Sequence, residues 1–204
     1  VRRFAPLASY LTANISSPNT PGLRAMQARE ALTELLSRVI TARDAAAAPR
    51  KVPVFLKIAP DLSDAELADI AAEALDKKID GIIVSNTTLS RAGLASAQKS
   101  QTGGLSGRPL FARSTAVLAR MRKLVGRAMP LIGVGGVDSA ETALDKIGAG
   151  ADLVQLYTGL IYGGPSLPGR ILRGLSAHCA REGIASIATL RDSRVERWAA
   201  MPLE

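Results

Sequence analysis

The chain has 204 residues, 47% of them apolar and 22% charged, which excludes disorder as the main state and allows a sizeable core. One cysteine excludes an internal disulfide framework and suits a reducing compartment, and no run has the ~18 apolar residues of a membrane span, so the chain reads as soluble. The net charge of +8 invites nucleic acid, but Arg and Lys are scattered beside Asp and Glu, and three Phe, three Tyr and one Trp make a poor base-stacking platform; a solvated basic face is the better account.

Five short apolar runs each end in a polar or glycine-rich corner: Tyr10–Ile15, Val52–Ile58, Gly81–Ser85, Pro130–Val134 and Asp152–Tyr157. Most are continuous rather than alternating, as strands of a parallel sheet covered on both faces should be. Apolar residues at helical spacing predict helices over Leu23–Ala48, Asp64–Lys77, Phe111–Val125, Ala140–Ile147 and Leu167–Glu182. Ser63 and Glu66 form a capping box ahead of the second helix, and Gly183 is a stop signal after the last. The longest irregular stretch, Thr87–Leu110, is rich in Gly, Ser and Thr, and such a loop inside a compact domain is usually functional. No linker or composition shift divides residues 1–204, which read as part of one domain.

Repeated βα units leave two architectures. A doubly wound dinucleotide fold needs G-x-G-x-x-G after its first strand, but Gly133-Val134-Gly135-Gly136 is followed by Asp138 where the third glycine belongs. Asp152, the acidic residue further on, opens the next strand instead of closing it. A (β/α) barrel collects its chemistry at strand C-termini, with phosphate on the loops after the last strands, and the polar clusters of this sequence lie there. The expected fold is therefore α/β, of the (β/α)8 TIM-barrel type.

The first strand leads into Asn14-Ile15-Ser16-Ser17-Pro18-Asn19-Thr20-Pro21-Gly22. Two prolines remove N–H donors, so side-chain amides and hydroxyls dominate this surface and suit a ring edge of alternating C=O and N–H groups. An Asx-turn network is the alternative. Lys57 stands inside an apolar run, where a lysine is costly unless it meets an anion or snorkels to the edge. Ser85-Asn86-Thr87-Thr88 ends the third strand as a second ring-edge reader. Gly103-Gly104-Leu105-Ser106-Gly107, Gly135-Gly136 and Tyr157-Thr158-Gly159 allow close backbone approach to a phosphate. No metal site can be assembled, and no Ser-His-Asp triad, because the single His178 and its neighbour Cys179 lie on the last helix.

Together these residues carry a resemblance. Asn14 through Arg24, Lys57-Ile58-Ala59-Pro60-Asp61, Val84 through Arg91, Gly103 through Leu110, Ile132 through Val137 and Gln155 through Gly159 resemble dihydroorotate dehydrogenase, in its quinone-reducing, membrane-associated class 2 branch. The likeness runs from about Phe4 to Trp198. It implies oxidation of dihydroorotate to orotate in pyrimidine (UMP) synthesis, with FMN as cofactor and quinone as acceptor. Ser17 would be the base at C5 while the C6 hydrogen leaves as hydride to the flavin, and Thr20 would relay the serine proton to water. Asn14, Asn19, Asn86 and Thr87 would hold the pyrimidine. Lys57 and Ser85 would contact the flavin ring and ribityl region, Asn14 would also reach the flavin, and Gly107, Gly136, Tyr157 and Thr158 would hold its phosphate end.

A complete barrel has eight βα units in about 250 residues, and only five are legible here. The resemblance places the chain in the C-terminal portion of the enzyme, as roughly its last five units. The quinone segment would lie outside it, and the full-length protein would associate peripherally with the cytoplasmic side of the membrane. Unpaired edges are expected at the first and last strands, with Val54, Leu56, Ile82, Val84, Ile132 and Val154 on the inner face. Two other readings stand beside this one: an inactive or non-catalytic barrel-derived binding module, and an FMN barrel acting on a pyrimidine with a different acceptor.

Overall fold

The computed structural model describes residues 1–46 and 50–203. Five strands, β1 (Leu11–Asn14), β2 (Val54–Ile58), β3 (Gly81–Val84), β4 (Leu131–Val134) and β5 (Leu153–Gln155), form one sheet in the order β1-β2-β3-β4-β5. Every pairing is parallel. A doubly wound sheet reverses its order at a switch point, and this one does not. Right-handed crossovers that always step the same way stack their helices on one face, the winding of a (β/α) barrel. Accordingly α1 (Arg29–Asp44), α2 (Asp64–Asp76), α3 (Phe111–Val125) and α4 (Ala140–Gly148) pack as successive neighbours. The observed fold is an arc of five βα units in which β1 and β5 each pair on one side only.

Local chemistry sets the element ends. Ser63 Oγ accepts from Glu66 N at 3.3 Å while Ser63 N donates to Glu66 Oε2 at 2.8 Å, closing the expected capping box. Ser139 and Thr142 build a second box at α4. The helix expected over Leu23–Ala48 is interrupted. A 3-10 turn at Leu23–Gln27 is followed by extended Ala28, because the Gln27 side chain turns inward and its Oε1 accepts from Ala59 N at 2.9 Å. The far end of that prediction, Ala47 and Ala48, lies outside the described residues. Short helices α5 (Thr158–Gly163) and α7 (Val195–Ala199) flank α6 (Leu167–Arg181) and were not legible as helices. Gly183 stops α6 at φ 66°. Among the described residues no helix is long and apolar enough to cross a membrane.

The main core lies between sheet and helices. Val54, Leu56, Ile58, Ile82, Val84 and Leu131 pack with Leu32, Leu36, Leu67, Ile70, Leu118 and Met121 in one buried cluster. This corrects the expected inner face: Val54, Leu56, Ile82, Val84 and Val154 pack into the helix layer. Ile132 alternates away from Leu131 and lies outside that cluster, as does Ile83. The register then aligns Asn14, Lys57, Ile83, Ile132 and Leu153 across the opposite face. Lys57 therefore sits at the strand end on the side away from the helices.

Candidate active site

The C-terminal ends of β2, β3, β4 and β5 converge on one cavity of about 250 Å³. Lys57 from β2, Ser85, Asn86 and Thr87 after β3, Gly107 from the long loop, Gly136 after β4, and Tyr157 and Thr158 after β5 all line it. Eight residues singled out from five separate stretches of sequence thus meet in one place. A larger space of about 790 Å³ adjoins it, sharing Gly107, Gly136 and Thr158 and extending to Asp138 and Arg170.

Lys57 is half-buried, with no hydrogen-bond partner for its ammonium among the described residues, and burial pushes its pKa below the ordinary lysine value. A cation so placed favours an anionic or electron-rich partner. The glycines open the opposite wall. Gly136 has φ 71°, and a Cβ there would fall 2.5 Å from Phe111 Cβ; Gly107 has φ 77° and abuts the Thr158 methyl. Thr158 Oγ1 donates to Ser106 Oγ at 2.8 Å, tying the loop after β5 to the long loop.

Asn14 ends β1, and Ser17 and Asn19 lie on the loop that follows; none of the three lines this cavity. Asn86 Nδ2 reaches Asn14 Oδ1 at 3.4 Å and Ser16 Oγ at 3.0 Å, and Ser16 Oγ donates to Asn14 Oδ1 at 2.8 Å. Asn86 Oδ1 accepts from Thr87 N at 2.8 Å. Two amides and a hydroxyl are thus oriented as a set. Ser17 is half-buried and its Oγ accepts from Asn19 N at 3.3 Å, the local turn that was the competing reading of this segment. Asn19 and Thr20 are exposed. Gly104 lets the long loop close over this one, since a Cβ there would collide with Thr87 Oγ1 and come within 3.0 Å of Pro18 Cγ.

Sequence reasoning assigned nothing to the residues that brace these loops. Ser16 is fully buried. Arg24 donates to Ser16 O at 3.2 Å, Asp61 Oδ2 at 2.9 Å and Thr87 O at 2.9 Å, joining the loops after β1, β2 and β3. Asp61 also accepts from Leu89 N at 2.9 Å and from the Thr88 hydroxyl. The antiparallel bridge Thr88–Leu105 pins the long loop, and Arg91 holds its return through Gln101 O and Gly103 O. The only available signal was charged residues in turns with no chemistry of their own. His178 and Cys179 lie on α6 away from the cavity, with His178 Nδ1 facing Arg181.

A donor set of amides and hydroxyls beside an unpaired cation and a glycine wall suits a planar polar ring stacked against an anionic or redox-active ring with a phosphate tail. Residues 1–178 match the family model for dihydroorotate dehydrogenase. A Brucella ovis protein named dihydroorotate dehydrogenase (quinone) is 69% identical over the whole chain, and a Mesorhizobium japonicum protein of the same name is 67% identical. The chain spans about 57% and 56% of their lengths. A crystal structure of Eimeria tenella DHODH in complex with ferulenol superposes with a TM-score of 0.89 at 36% identity, covering 94% of this chain and 55% of that one. A match across most of the chain in sequence, and across nearly all of it in structure, makes this chain a member of the dihydroorotate dehydrogenase family.

Proposed function

We propose that the protein oxidises dihydroorotate to orotate at this cavity, using FMN and passing the electrons to a quinone, as a step of pyrimidine synthesis. The observation that carries the reading is the convergence of Lys57, Ser85, Asn86, Thr87, Gly107, Gly136, Tyr157 and Thr158 on one cavity, with Asn14 hydrogen-bonded to its rim. The residues fit FMN. Lys57 has no carboxylate partner among the described residues and is partly desolvated, and Gly136 leaves a cradle that a Cβ would fill. Residues 1–204 belong in this reading to one FMN-binding barrel domain. Quinone reduction and peripheral attachment to the cytoplasmic face of the membrane fall to parts of the protein outside them.

In the proposed arrangement Asn14, Asn19, Asn86 and Thr87 bind the pyrimidine edge. Lys57 and Ser85 hold the flavin ring and ribityl region, with Asn14 beside them. Gly107, Gly136, Tyr157 and Thr158 take the phosphate end. Bound FMN supplies the acceptor for the hydrogen and electron pair that leave C6. Ser17 removes the C5 proton, so that C5 and C6 become doubly bonded, and its own proton passes by Thr20 to water. The Asn19 N–H directed at Ser17 Oγ favours negative charge on that oxygen and so helps a weak base act. Lys57 would offset negative charge on a flavin ring held beside it.

The test is anaerobic mixing of full-length protein with dihydroorotate while flavin absorbance is followed. Ser17→Ala should retain FMN and slow bleaching by about 10²–10⁴-fold, the usual range for a general base. Slowing by less than about threefold would show that Ser17 is not the base.

A further inference from the structure

Lys146 heads the large side chains that are fully buried, and no step above uses it. It lies on α4 and leans toward that helix's N-terminus, as helical side chains do. Its stem crosses β4 at Gly133, where a Cβ would lie 3.3 Å from the lysine Cδ; the missing side chain makes its path. Nζ ends 2.6 Å from Ser114 Oγ in the first turn of α3 and 3.5 Å from Val134 O at the end of β4. It also lies 5.2 Å from the centre of the Phe111 ring. Ser114 Oγ is in turn 3.1 Å from Phe111 O and 3.3 Å from Gly135 O. Phe111 backs Gly136. One lysine thus reaches both α3 and the end of β4 behind the Gly135–Gly136 turn, while that turn also lines the cavity.

An amine buried so completely is expensive in its charged form, and burial drives its pKa well below the ordinary value against the opposing pull of Asp145. Asp145 is itself paired with Arg194 at 2.5 Å. Among the described residues no carboxylate lies within ion-pair distance of Lys146. A phosphate held on the cavity side of the Gly135–Gly136 turn would favour the protonated amine, and the protonated amine would in turn favour the phosphate.

We propose that Lys146 is a positioning residue for a phosphate group: it braces the Gly135–Gly136 turn from behind through Ser114 and makes this end of the cavity prefer a phosphorylated flavin over its unphosphorylated counterpart. The inference rests on the flavin reading above. It is tested by titrating flavin-stripped, full-length protein with FMN and with riboflavin and following flavin fluorescence. Lys146→Met keeps the bulk and removes the amine. It should weaken FMN by about tenfold or more, equivalent to ~1.4 kcal/mol, and leave riboflavin within about twofold. Ser114→Ala should lower the same preference by about threefold, and it decides the matter alone if the lysine variant does not fold. Equal weakening of both ligands marks a purely structural lysine and overturns the inference, as does unchanged FMN affinity. Wild-type protein that binds neither flavin defeats the flavin reading itself, whereas an FMN preference that survives both substitutions defeats the inference alone.

Discussion

Replacing Arg24 with alanine would unfasten the three loops that its guanidinium joins. The bonds lost run to Ser16 O at 3.2 Å, Asp61 Oδ2 at 2.9 Å and Thr87 O at 2.9 Å. Hydrogen bonds to charged groups contribute about 1.5–3 kcal/mol each, so three would nominally reach about 4.5–9 kcal/mol. Two facts lower the figure. The arginine side chain keeps 21% exposure, and Asp61 retains Leu89 N at 2.9 Å and the Thr88 hydroxyl, so no carboxylate is orphaned. A net loss of about 2–3 kcal/mol is expected. It falls on the mutual order of the loops carrying Ser17, Asn86 and Thr87, not on the helix-facing core. If the proposed activity holds, at 1.36 kcal/mol per decade this lowers kcat/KM for dihydroorotate by about 30- to 160-fold. Arg24→Lys should recover only part of it, because one ammonium cannot span three acceptors in different directions. Steady-state oxidation and a thermal melt of the full-length variants test the point. A kcat/KM for Arg24→Ala within about threefold of wild type, with an unchanged melt, would refute the reasoning.

Other substitutions test separate parts of the structure. Gly136→Ala puts a Cβ 2.5 Å from Phe111 Cβ at φ 71°, so the FMN retention proposed for the purified protein should fall sharply; flavin content equal to wild type would show that the turn can yield. Arg122 is buried and donates to Gly126 O at 2.6 Å, Met129 O at 3.0 Å, Gly150 O at 3.1 Å and Asp152 Oδ2 at 2.6 Å. Arg122→Ala should therefore cost about 3–5 kcal/mol in denaturant unfolding, and a loss below about 1 kcal/mol would contradict that. For Lys146, a folded-state pKa below the unfolded value means that the unfolded chain binds more protons between the two, so wild-type stability rises with pH up to about 10.4. Lys146→Met lacks this term and should exceed wild type most at low pH, with the gap narrowing as pH rises through that window; a gap independent of pH would count against it.

Much of the fold was legible because the signals were local. Uninterrupted apolar runs marked the strands within one or two residues, and Ser63-x-x-Glu66 marked a helix start that the backbone confirms. The break at Ala28 was not legible, because it depends on Gln27 capping Ala59, a residue far along the chain. Strand facing was misread for a related reason. Continuous apolar runs hide the period of two, so Val54 and Leu56 were assigned to the face that Phe55 and Lys57 occupy. The cavity residues were legible because polar side chains at the ends of apolar strands are costly without a use. Arg24, Asp61, Ser114 and Lys146 were not, since their importance lies in partners that only folding brings near.

The alternation along β2 has a consequence for how this strand tolerates change. Val54, Leu56 and Ile58 enter the helix layer, while Phe55 and Lys57 face the other way. One five-residue segment therefore answers to two independent demands, read on odd and even steps. Substitutions at Val54, Leu56 or Ile58 should register in unfolding and spare ligand binding, and those at Lys57 should do the reverse. Inserting a single residue before Leu56 would exchange the faces of the residues that follow, turning the ammonium toward the apolar layer and a leucine toward the face that Lys57 now occupies. A change in one set can thus leave the other untouched, whereas a change in length disturbs both.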